Sequence, residues 1–143
     1  MPTEVQHPVM AIDHGDARIG VAATDPIGIL AHPVESIHVN KVDPLDRLQT
    51  LVKERQIQRM IVGLPVRMDG TEGTAAEKVR AFAKTLAERL PDLPMEFVDE
   101  RLTTVAASEK MRSAGRKAKN QRHLIDQAAA IEILNTWLEA QEL

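Results

Sequence analysis

Cysteine and tyrosine are absent from this chain, and its only other aromatics are two phenylalanines and one tryptophan. Without thiols the protein forms no disulfide, holds no thiolate zinc site and uses no cysteine nucleophile, in keeping with a reducing compartment. The three aromatics, Phe82, Phe97 and Trp137, fall at periodic apolar positions and are expected in the core. No apolar run is long enough to cross a bilayer, and Met1 to Pro8 is polar with no signal-peptide core. A soluble protein of the cytoplasm is the expectation.

The 143 residues suit a single domain, residues 1–143, with one core; 43% are hydrophobic and 27% charged, an ordinary globular balance. Formal net charge is −3, which argues against a general polyanion binder. Its distribution points the other way. Lys110, Arg112, Arg116, Lys117, Lys119 and Arg122 put +6 into residues 110–122 with no acid among them, leaving −9 on the rest. Such a cluster on an acidic protein is either a solvated charged loop or an electrostatic footprint for nucleic acid. With so few aromatics to stack on bases, recognition of a nucleic acid would run through backbone and shape, as on a duplex or junction.

In chain order, Val9–Ile12 is an apolar run that reads as a strand buried on both faces, ending at Asp13. Gly15-Asp16 makes the turn, Arg18 follows, and Ile19–Ala23 returns as a second strand. A third runs from Ile29 to about Val39 and, carrying Pro33, belongs at an edge or is irregular. Asp43-Pro44 starts a helix with Asp43 as cap, and Leu45, Leu48, Leu51 and Val52 form its apolar face. Arg59–Leu64 is a strand stopped by Pro65, followed by a loop with two glycines, Met68 to Gly73. Thr74-Ala75-Ala76-Glu77 has the form of a capping box opening a helix with Val79, Phe82, Ala83, Leu86 and Leu90 on one side. Met95–Val98 is the fifth strand and runs into Asp99-Glu100-Arg101. Thr103 or Thr104 caps a further helix to Gly115, and a last helix runs from about Arg122 to Glu139. Three antiparallel strands followed by alternating helices and strands predict an α/β fold: a mixed five-stranded sheet, its later strands parallel, with helices on both faces.

Three carboxylates stand where an acid needs a reason. Asp13 and Glu100 both follow apolar strands, and the carboxyl ends of parallel strands gather at one edge, where ligands bind. Asp126 lies in a helix that is apolar around most of its circumference, where an uncompensated charge is costly. The plain alternatives are a turn aspartate, a strand-end pair with Glu100 bound to Arg101, and an Asp126–Arg122 surface pair four residues apart. If the three acids meet, oxygen ligands alone converge, which suits Mg²⁺ or Mn²⁺, two ions roughly 4 Å apart, in phosphodiester hydrolysis. The five histidines show no zinc spacing. His14 and His123 stand close enough in sequence to Asp13 and Asp126 to tune such a site.

Four segments taken together resemble the bacterial YqgF family, whose members are described as RuvX-type Holliday-junction resolvases and as pre-16S rRNA nucleases. They are Asp13 to Ala22, Val62 to Pro65 with Met68 to Gly73, Asp99 to Thr104, and Ile125 to Ala130. The resemblance implies an RNase H-like fold and a cytoplasmic, metal-dependent endonuclease whose catalytic and metal-binding triad falls on Asp13, Glu100 and Asp126. It places Arg18 and Arg101 on phosphates, and Thr103 and Thr104 as braces or caps. Residues 110–122 would hold flanking phosphates. The implied role is 5′-end processing of pre-16S rRNA in ribosome biogenesis. The alternatives are a homodimeric Holliday-junction resolvase in DNA recombination and repair, and a non-catalytic nucleic-acid-binding adaptor. Ala17 departs from the family, many of whose members are basic there, and the segment after Gly115 is less densely basic than in some. The Asp13–Gly20 hairpin also resembles the phosphate grip of actin-like ATPases and sugar kinases, which close two such domains around a nucleotide.

Overall fold

The structure, a computed structural model, describes residues 6–102 and 118–141, and of residues 102 and 118–126 the backbone alone. The elements are β1 (Val9–His14), β2 (Arg18–Thr24), β3 (Ala31–His38), α1 (Pro44–Arg55), β4 (Arg59–Leu64), α2 (Thr74–Arg89), β5 (Met95–Asp99), a 3₁₀ turn (Glu100–Leu102) and a long helix, α3 (Ala118–Gln141). The sheet runs β3-β2-β1-β4-β5. The first three strands are antiparallel neighbours, whereas β1, β4 and β5 are parallel to one another. This is the mixed sheet expected from the element order.

Side-chain alternation splits the core in two. Met10, Ile12, Ile19, Val21, Met60 and Val62 face α1 and α2, meeting Leu48, Leu51, Val79, Ala83 and Leu86. Val9, Ala11, Ala22, Ile61 and Val98 face α3, meeting Ala130, Ile133, Leu134 and Trp137. Strands covered on both faces need near-continuous apolar sequence, which is why β1 reads as it does. Each large aliphatic side chain fully buried here contributes about 1.5–3 kcal/mol.

Local details follow the chemistry, with three corrections. β3 is an edge strand, and its register shifts opposite Val21 and Ala22, which pair with Glu35 and Pro33; the proline has no N–H to give the ladder. Asp43 caps α1, accepting the Leu45 and Asp46 amides at 2.9 and 3.3 Å. The capping box expected at Thr74 does not form. Gly73 takes the cap position without a side-chain bond, and Thr74 is already the first helical residue. α3 begins at Ala118, ahead of the expected Arg122. Phe97 is 39% exposed on the edge strand β5, with the Arg80 guanidinium 4.9 Å from its ring centre, because among the described residues no strand pairs beyond β5. The helix expected between Thr103 and Gly115 lies outside the described residues. No helix among the described residues is long and apolar enough to cross a membrane.

Candidate active site

Asp13 and Glu100, distant in sequence, meet at the carboxyl edge of the parallel strands. β1 alternates Val9 and Ala11 onto the α3 face, and Asp13 continues that series. Its neighbours across the sheet are glycines. Gly20 pairs with Asp13 on β2, and on β4 the register Ile12↔Val62 brings Gly63 alongside. Glu100 follows the last residue of β5, Asp99, which pairs with Leu64. A Cβ at Gly63 would stand 2.5 Å from Glu100 Oε1 and would overlap Ile133 as well. A bare backbone here is what admits the Glu100 side chain between sheet and helix.

The two carboxyl groups are hydrogen-bonded, and Glu100 is pushed up to about 9. Burial is the largest cause, followed by the hydrogen bond with Asp13 and the negative charges of Asp13 and Asp99. A carboxyl pushed this high keeps its proton at neutral pH, because a second negative charge beside Asp13 is unfavourable without a compensating cation. The plain alternative for Glu100, a pair with Arg101, is not what forms. Arg101 instead grips Asp99, with Nη2 to Oδ2 at 2.6 Å, Nε to Oδ2 at 2.9 Å and its amide to Oδ1 at 2.9 Å. That grip holds the Asp99 carboxyl below the usual range and raises the guanidinium.

The hairpin after Asp13 is closed by the Gly15 amide donating to the Arg18 carbonyl at 2.9 Å, so tightly that a Cβ on Gly15 would lie 2.8 Å from that oxygen. Arg18 opens β2, and with Gly20 and Ala22 it belongs to the series facing the same side as Asp13. His14 turns to the opposite face, its ring centre 4.6 Å from that of Phe82. Burial lowers its pKa, with Asp16 and Asp13 opposing. A cavity of about 310 Å³ opens there, lined by His14, Asp16, Thr74, Lys78 and Glu100 among others, and Lys78 Nζ lies 3.3 Å from Asp16.

Position 126 belongs to α3 one turn before Ala130 and two before Ile133, residues that face the sheet. α3 runs antiparallel to β4: Arg59 at the start of β4 lies 6.0 Å from the Trp137 ring, and Gly63 near its end touches Ile133. Two turns before Ile133 carry the helix about 10 Å further toward the carboxyl edge. The side chains of Asp126, His123, Lys119 and Arg122 lie outside the described residues, as do Lys110, Arg112, Arg116, Lys117, Thr103 and Thr104 altogether. Among the described residues no group of three or more histidine or carboxylate side chains is placed to hold a metal. The described chain supplies the pair.

Sequence reading singled out the pair but missed what makes room for it. Gly63 looked like one more residue of an apolar strand, and Arg67 and Lys78 carried no motif of their own. A glycine inside a strand is nonetheless a readable signal that something approaches the backbone closely.

A mixed sheet with helices on both faces and an acid pair at its carboxyl edge defines an RNase H-like α/β protein. A family model described as RuvX, Holliday junction resolvase, matches residues 7–140, and the chain belongs to that family. A relative from Streptomyces avermitilis, named "Putative pre-16S rRNA nuclease", is 48% identical over 135 residues, covering 94% of this chain and 86% of its own. One of the same name from Mycobacterium leprae is 47% identical over 131 residues, covering 91% and 71%. Among solved structures, T. thermophilus RuvC in complex with Holliday junction substrate superposes with a TM-score of 0.58 at 16% identity, covering 95% of this chain and 96% of the other; at that identity the likeness is one of fold.

Proposed function

We propose that the chain is a divalent-metal-dependent endonuclease that hydrolyses phosphodiester bonds in the 5′-end processing of pre-16S rRNA. The observation that carries this reading is the half-buried, hydrogen-bonded Asp13–Glu100 pair at the carboxyl edge of the parallel strands. A cation relieves that arrangement, and an oxygen-only donor set fits a hard one. Asp13 and Glu100, joined by Asp126 from α3, would hold Mg²⁺ or Mn²⁺, as two ions. Bound there, such ions would supply an activated water and stabilisation of the leaving oxygen of a phosphodiester.

The chain's own residues do the rest. Glu100 would release its proton to solvent when a cation takes its place between the two carboxylates. Arg18, on the same side of the sheet as Asp13, neutralises a phosphate beside the scissile one, and Arg101 does so once substrate competes with Asp99 for its guanidinium. Lys110, Arg112, Arg116, Lys117, Lys119 and Arg122 hold the flanking backbone, which positions the substrate without reading its sequence. The enzyme works in the cytoplasm.

The family's description favours a second reading, cleavage of a four-way DNA junction, which requires a homodimer to cut two strands symmetrically. Purified protein with a labelled precursor rRNA 5′ segment and a labelled four-way junction, in Mg²⁺ and in Mn²⁺, separates the two. Metal-dependent cutting of the RNA is the expected result. Junction cutting alone selects the resolvase, and binding without cutting of either substrate makes the protein an adaptor.

A further inference from the structure

The loop between β4 and α2 leaves the same sheet edge as the acid pair and carries the most exposed large apolar side chain among the described residues, Met68 at 84%. It is no slack connection. Val66 bridges Glu72, the Arg67 amide donates to the Thr71 carbonyl at 2.9 Å, and the Gly70 amide to the Arg67 carbonyl at 2.8 Å. Asp69 accepts the Thr71 amide at 2.9 Å and the Thr71 hydroxyl at 2.6 Å, and Gly70 turns the chain at φ +90°. At the base, Glu72 is fixed to Arg80 of α2 by two bonds, at 2.6 and 2.8 Å.

The loop also comes close to Arg101, which follows Glu100 in the chain. A Cβ on Gly70 would lie 3.8 Å from Arg101 Nη1, and Arg101 is bound to Asp99 beside Glu100. Next to Met68, Arg67 lies against Gly73, its guanidinium donating to the Thr71 hydroxyl at 3.5 Å. No carboxylate pairs with it among the described residues, whereas Arg47, Arg59, Arg80, Arg89 and Arg101 each have one. A rigid turn that holds a guanidinium with no carboxylate partner among the described residues, and a bare methionine, beside the edge that carries the acid pair has the composition of a nucleic-acid probe. The cation meets phosphate, and the apolar chain meets the face of a base that has lost its stacking partner. Methionine's unbranched, polarizable side chain adapts to such a surface, and the chain offers no exposed tyrosine or tryptophan for the task.

We propose that this loop selects the substrate: Arg67 binds a backbone phosphate and Met68 wedges into a broken base step, so that cleavage favours a duplex–single-strand boundary or branch point over continuous duplex. The proposal rests on the nuclease reading above. The test places 2-aminopurine, whose fluorescence rises on unstacking, at the boundary of a hairpin RNA and at the branch of a DNA junction. Binding is followed in an Asp13→Asn background that leaves the substrate uncut. Fluorescence is expected to rise on binding of Met68-containing protein and to stay flat with Met68→Ser. Met68→Leu restores the rise, and Arg67→Gln weakens binding roughly tenfold. With Asp13 restored, Met68→Ser lowers cleavage of the discontinuous substrate roughly tenfold and leaves continuous duplex unchanged. Tight binding with the same fluorescence for Met68 and Met68→Ser overturns the wedge while the nuclease stands. Failure of wild-type protein to bind or cut either substrate removes the nuclease reading itself.

Discussion

Whether Glu100 can reach Asp13 is decided by a residue with no side chain. A methyl at position 63 would have to displace Glu100 or push Ile133 and with it α3. Gly63→Ala is therefore expected to cost about 1–3 kcal/mol in denaturant unfolding, as overpacked sites do, and to depress cleavage further than stability alone explains. Glu100 itself carries a pH signature. Its carboxyl titrates near 4.5 in the unfolded chain and near 9 in the fold, so between those values the folded state binds the extra proton. Stability of the metal-free protein then falls as pH rises through that window, the reverse of a salt-bridged acid. Thermal melts at stepped pH in a chelator should show this decline, with a shallower slope in Glu100→Gln. Adding Mg²⁺ or Mn²⁺ should raise the melting temperature more at the alkaline end. A melting temperature that rises with pH across the window in the wild type contradicts the description of Glu100 as protonated.

At the scale of elements, periodicity carried most of the argument. The buried alternation of β1, β2 and β4, the face of α1 and the Asp43 cap were all legible, because each is a local pattern answered by local geometry. Asp43→Ala is expected to lower unfolding free energy by about 1 kcal/mol and leave cleavage unchanged, since α1 lies far along the chain from both acids and packs on the other face of the sheet from Asp13. What sequence could not supply were features that depend on which partner wins. Thr74 has the right chemistry for a cap, but the helix starts on it and Gly73 caps with backbone alone. Phe97 fits an apolar alternation, yet its strand is the sheet's last and its ring meets Arg80 rather than a core. Arg101 is next to Glu100 and two residues from Asp99 in sequence, and only the 3₁₀ turn after β5 shows that it folds back on Asp99.

Over the whole molecule, charge and topology divide the labour. Crossovers from β1 to β4 to β5 bring two acids to one edge, and α3 returns antiparallel beneath them carrying position 126. The acids sit in a protein of net charge −3, and in the proposed function the cationic stretch at residues 110–122 supplies the attraction for a polyanion. Substrate affinity should accordingly fall steeply with salt, log affinity declining linearly with log salt, and replacing Arg116 and Lys117 by glutamine should flatten that slope in a filter-binding titration. The central claim is that Asp13 and Glu100, with Asp126, form one metal-dependent cutting site. Its most direct test is the single-turnover rate at which wild type, Asp13→Asn, Glu100→Gln and Asp126→Asn cleave a labelled precursor rRNA 5′ segment, in Mg²⁺ and in chelator, with folding of each verified by circular dichroism. Cleavage by wild type in Mg²⁺ alone, lost by a hundredfold or more in every folded variant, is the expected result. Cleavage that persists in chelator, or that survives in folded Asp13→Asn and Glu100→Gln, contradicts it.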